Sequence, residues 1–168
     1  MKLTAGKSFP AMITLEIDDS LLAHSDTGLN LEAMRPKLLH AAELTLHHQQ
    51  VSTESSLTIL LSGDEQLQQL NRQFLGIDAP TDVLSFPAGE TDPETGETYL
   101  GDVIISGERA QAQATAGGHT LADELQLLII HGVLHLLGHD HAAAEGKAGM
   151  WAAQSAILAQ LGVQVNAP

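Results

Sequence analysis

The chain has 168 residues, 43% of them apolar, which fits one domain with a real hydrophobic core and excludes a disordered protein. Cysteine is absent, so disulfides and thiolate ligands are excluded, and any metal must be held by histidine and carboxylate. Seven basic residues against twenty-one acidic ones give a formal charge of −14, a surface that repels nucleic acid and anionic membranes unless local positive charge or a cation intervenes.

The first ten residues carry Lys2 and Lys7 without an apolar run and do not read as a signal peptide. No apolar stretch approaches the length of a membrane span, so the expectation is a cytoplasmic protein with no membrane partner. Residues 12–18 alternate, with Ile13, Leu15 and Ile17 on one side and Thr14 and Glu16 on the other, which predicts a half-buried strand. Residues 31–50 have helical period with a stripe of Leu38, Leu39, Ala42 and Leu46, and Pro36 is expected in the first turn, where its missing N–H matters least. Residues 56–62 read as a short apolar strand. Residues 64–75 read as a polar helix with Leu67, Leu70 and Phe74 facing inward.

A turn at 76–80 leads into a strand at 82–86, closed by Pro87. Residues 88–98, with Glu90, Asp92, Glu94 and Glu97 punctuated by Pro93 and Gly96, are expected to form a solvated loop. A strand at 100–106, a rather polar helix at 107–116, the most apolar helix at 121–137 and a final amphipathic helix at 142–161 complete the pattern. Residues 1–11 and 163–168 are expected to be frayed ends of one domain spanning 1–168. Four strands and about five helices without strict β-α alternation point to an α+β or mixed α/β layer fold.

The run His131-Gly132-Val133-Leu134-His135-Leu136-Leu137-Gly138-His139-Asp140-His141 carries the chemistry. Residues four apart on a helix share a face about one turn, roughly 5–6 Å, apart, so His131 and His135 can reach one cation. Gly138 can end the helix in a left-handed turn, after which the chain doubles back and offers His141. Three imidazoles with a fourth position left open is a catalytic zinc arrangement; one Zn2+ per chain is expected, although nickel, copper or iron also suits three nitrogens. The flanking Leu128, Ile129, Ile130, Val133, Leu134, Leu136 and Leu137 bury the helix, and burying unsatisfied imidazoles is unfavourable, which a metal resolves. His139 is a competing ligand, but the spacing from His131 favours His141. Asp140 is placed to orient an imidazole.

The same spacing occurs in metzincin proteases, where a glutamate after the first histidine is the general base. Here that position is Gly132, which takes no proton, so a peptidase loses its central residue. Leu70-Asn71, then Pro80-Thr81-Asp82-Val83-Leu84-Ser85-Phe86-Pro87, then Leu100-Gly101-Asp102-Val103-Ile104-Ile105-Ser106, then the histidine run, together resemble the YbeY family over roughly residues 13–157. That resemblance implies an α+β fold with a central four-stranded mixed sheet, the metal helix packed against it. It implies a single-strand-specific metallo-endoribonuclease acting in maturation of the 3′ end of small-subunit rRNA and in ribosome quality control. Its partners would be single-stranded RNA, rRNA and the ribosome or its proteins. His131, His135 and His141 match the family's zinc ligands. Asp82 and Ser85 fall in its segment beside the metal cleft, where they would orient substrate or water; a local turn-capping role for Thr81 or Asp82, and a solvent-facing Ser85, are the alternatives.

One departure is that the family's arginine position after Leu-Asn holds Leu75, with Arg72 three residues earlier on the same helix. Arg72 is therefore the candidate to reach the cleft and pair with phosphate. The rival readings are a metal-stabilised, non-catalytic ribosome-assembly factor and another metal-dependent hydrolase. The second predicts a carboxylate near the open metal position, for which Asp82 and Asp102 are the candidates.

Overall fold

A computed structural model describes residues 11–23, 30–139 and 144–165. Four strands, β1 (Met12–Ile17), β2 (Ser55–Ser62), β3 (Val83–Thr91) and β4 (Thr98–Ser106), form one sheet in the order β1-β2-β4-β3. β1 and β4 flank β2 in parallel, and β3 runs antiparallel to β4 at the edge. The helices are α1 (Asp19–Ala23), α2 (Leu31–His48), α3 (Asp64–Leu75), α4 (Gly107–Gly117), α5 (Leu121–Leu136) and α6 (Ala144–Leu161). This is the expected α+β fold with a mixed four-stranded sheet.

The strand period of two sorts the sheet into two faces. Leu57, Ile59 and Leu61 of β2 and Val103 and Ile105 of β4 point to one face, where they pack with Leu38 and Leu46 of α2 and Leu125, Ile129 and Val133 of α5. Leu60, Leu84, Phe86 and Ile104 point to the other, where they meet Leu67 and Leu70 of α3. α5 is apolar on nearly every side because it is enclosed by the sheet, α2, α4 and α6. Each large side chain buried there contributes about 1.5–3 kcal/mol.

Five local expectations change. α1 follows β1 directly, started by Asp18, whose carboxylate accepts the Ser20 N–H at 2.8 Å; five residues are too few for a periodic signal. α2 begins at Leu31 under an Asn30 cap that accepts the Ala33 N–H at 3.1 Å, so Pro36 is its sixth residue and lies in the second turn, inside the helix. β3 passes through Pro87 and ends at Thr91, making 88–98 mostly a hairpin. An edge strand tolerates proline, and a register shift between Pro87 and Glu90 absorbs the misfit. The frayed end predicted from residue 163 is instead docked as far as Val165: Val163 is buried, and Val165 packs on the main core. Ala11 packs there too.

Candidate metal centre and cleft

α5 starts under a Thr120 cap, whose hydroxyl accepts the Asp123 N–H at 3.1 Å. It stops where the Gly138 N–H meets the His135 carbonyl at 3.0 Å and the His139 N–H meets the Leu134 carbonyl at 3.0 Å. That crossed pair is the Schellman pattern, which needs a left-handed residue at the turn; Gly138 supplies it with φ +94°. His131 and His135 thus occupy the last turns of a rigid, buried helix.

Their Nε2 atoms lie 3.2 Å apart, with the rings inclined at 68°. Two nitrogens each about 2.0–2.1 Å from one tetrahedral zinc stand about 3.3 Å apart, so this pair fits a single shared cation. Behind it, His131 Nδ1 lies 3.1 Å from Oε1 of the buried Gln154 on α6. An amide oxygen only accepts, so the ring proton sits on Nδ1 and the Nε2 lone pair points at His135. His141 and Asp140 lie outside the described residues. Among the described residues no third His, Asp or Glu completes a metal-sized cluster. His139 is turned away: its Nε2 lies 2.7 Å from Gln49 Oε1 at the end of α2.

A cleft of about 590 Å³ opens beside His131 between α4, α5 and α6, and Asp82, Gln113, His119, Glu124, Lys147, Trp151 and Gln154 border it. Asp82 reaches it from the start of β3. One carboxylate oxygen accepts the Val83 N–H at 2.8 Å and the other accepts from Gln113 Nε2 at 3.3 Å, so Asp82 both caps its own strand and ties it to α4. Ser85 faces α5 and donates to the Gly132 carbonyl at 2.9 Å; it fastens α5 to β3 and is not on a solvent-facing pleat.

Two expected residues are not brought to the cleft. Arg72 is exposed on α3, which packs on the opposite face of the sheet, and it does not border the cavity. Asp102 alternates with Val103 and therefore faces away from α5; it takes a hydrogen bond from the half-buried Tyr99 hydroxyl. Burial, and then that carboxylate, push the Tyr99 phenol above its ordinary range.

A carboxylate unpredicted from the sequence does face the cleft. Glu124 is buried in α5, and its Oε2 lies 2.5 Å from His119 Nε2. Its signal was the spacing of seven from His131, two turns along one helical face. Lys147, exposed on α6, is the one Lys or Arg bordering the cleft among the described residues.

The family model for endoribonuclease YbeY matches residues 22–162. The chain belongs to that family. The endoribonuclease YbeY of Moorella thermoacetica is 46% identical over 121 residues, which cover 68% of this chain and 78% of the relative. That of Halalkalibacterium halodurans is 38% identical over 158 residues, covering 89% and 98%. The solution structure of TM1509 from Thermotoga maritima superposes with a TM-score of 0.55 at 25% identity, over 89% of each chain. Among the described residues no helix is long and apolar enough to cross a membrane.

Proposed function

We propose that the protein is a metal-dependent endoribonuclease that cuts single-stranded RNA during rRNA maturation, with His131, His135 and His141 holding one Zn2+. Membership of the endoribonuclease YbeY family supports the reaction class. The observation that carries the metal is the 3.2 Å separation of the His131 and His135 Nε2 atoms, oriented by Gln154. When bound, the cation supplies Lewis acidity toward phosphoryl oxygens and a water of depressed pKa.

The chain's own residues do the positioning. Gln154 fixes the His131 tautomer, so that Nε2 presents a lone pair. Ser85 and the close approach of Gly132 to the sheet hold α5 at a set height beside Asp82. Lys147 gives the anionic RNA a cationic contact at the cleft on a chain of charge −14. A ribosomal substrate, the 3′ end of small-subunit rRNA, follows the family resemblance.

The test is His135→Ala, with bound metal measured by elemental analysis alongside cleavage of a single-stranded RNA oligonucleotide. Both should be lost together, with the helical circular dichroism retained. Cleavage by metal-free variant protein would overturn the mechanism.

A further inference from the structure

Along the cleft face of α5 the residues change character in order: Glu124, then Leu127 and Leu128, then His131. At 1.5 Å per residue the acid and the histidine are about 10 Å apart along the axis. That is the reach of a nucleotide from its phosphate, across the sugar, to the far edge of its base. The middle of the span is walled by the apolar Leu127, Leu128 and Met150, all buried, with Trp151 beside them. Trp151 is the chain's single tryptophan and, among the described residues, the one Phe, Tyr or Trp at the cleft. Phe74 and Phe86 pack edge-on with each other on the opposite face of the sheet, and Tyr99 is engaged by Thr58 and Asp102.

The far end of the span is built as an acceptor. His119 Nε2 holds Glu124 Oε2 at 2.5 Å. The imidazole is seated on Gly117, where a Cβ would stand 2.5 Å from His119 Cε1, so the pair is fixed by packing. Glu124 Oε1 has no hydrogen-bond partner among the described residues. A carboxylate accepts from the exocyclic amino group of cytosine or adenine, whereas uracil presents a carbonyl oxygen there.

We propose that this part of the cleft is a nucleobase subsite: Trp151 stacks a single-stranded base whose phosphate lies toward the histidines, and Glu124 selects a base bearing an exocyclic amino group. The inference rests on the endoribonuclease reading and adds to it a substrate preference. Stacking on an aromatic side chain takes any base, so Trp151 supplies affinity and Glu124 supplies choice.

The experiment uses the full chain and two probes, cytidine 5′-monophosphate and uridine 5′-monophosphate, with Trp151 emission as the signal. Cytidine monophosphate should change the emission saturably, with an apparent Kd at least about fivefold below that of uridine monophosphate. Glu124→Gln should bring the two constants together while keeping the emission change. Trp151→Leu should raise KM for a cytosine-rich single-stranded oligonucleotide by about fivefold or more, well beyond any fall in kcat. Cleavage of RNA with no emission response to either nucleotide overturns the subsite and leaves the endoribonuclease reading standing. An emission response without cleavage does the reverse. Equal binding of both nucleotides by the parent protein removes the role given to Glu124. The emission measurements on the parent protein decide the matter even if the Trp151 variant fails to fold.

Discussion

Gly132 touches the sheet where no side chain fits: a Cβ there would stand 2.4 Å from Val103 Cγ1 and 3.3 Å from Val83 Cγ2. The residue after the first histidine thus faces β3 and β4, while His131 faces the cleft. A glutamate at this position would enter the core and could not reach the cleft beside His131, which gives the loss of the protease pattern a packing cause. Gly132→Ala should destabilise the fold by about 1–3 kcal/mol through overpacking, less its small gain in helix propensity. For a domain of this size that lowers the melting temperature by several degrees, at about 2–4 °C per kcal/mol. Thermal unfolding followed by circular dichroism checks it; an unchanged midpoint would mean that Val103 moves aside freely.

Gln154 gives a cleaner probe of the proposed metal site than the candidate ligands do. It is buried, and its amide oxygen faces His131 Nδ1 at 3.1 Å. Gln154→Leu keeps most of the volume and removes the acceptor. Zinc affinity, measured by competition with a chromogenic chelator, should fall about 10–100-fold with the helix content intact. Affinity equal to the parent's would show that Gln154 does not orient the imidazole.

How much of this was legible depended on whether the information was local. The His131–His135 pair and the Gly138 stop follow from helical period and turn chemistry, and both are present as read. The strands at β1, β2 and β4 are local in the same way and are present close to where their apolar runs placed them. What was not legible depends on which elements meet. Nothing near Gln154 in sequence ties it to His131, 23 residues away. His119 and Glu124 are neighbours in sequence, but only the packing of α4, α5 and α6 turns them into the wall of a cleft. Arg72 is the converse case: its distance along the chain from the expected arginine was small, but the sheet lies between α3 and α5.

Arg72 and Lys147 should therefore behave differently. Arg72→Ala should leave kcat/KM for single-stranded RNA within about twofold, as for a solvated surface residue. Lys147→Ala should lower it by about twofold to fivefold, the scale of one exposed ionic contact. It should also flatten the dependence of binding on salt, because one fewer phosphate is neutralised. Steady-state rates at two salt concentrations separate the two; a larger loss for Arg72→Ala would place the RNA path over the other face of the sheet.

Tyr99 reports on that other face through its ionisation. It is the chain's single tyrosine, so the phenolate absorbance belongs to it alone. Burial is the larger cause of its raised pKa, and the hydrogen bond to Asp102 is the next. A folded pKa above the unfolded value of about 10 means that the fold favours the neutral phenol. The associated stability is complete below the unfolded value and is lost as pH rises through the folded one. Alkaline titration should therefore show a midpoint above the ordinary phenol range, with unfolding becoming easier as it is passed. Asp102→Ala removes the second cause and leaves the first. Its midpoint should move down toward the ordinary value without reaching it. A parent midpoint at or below the ordinary value would show that Tyr99 is more open to water than its position between Thr58 and Asp102 implies.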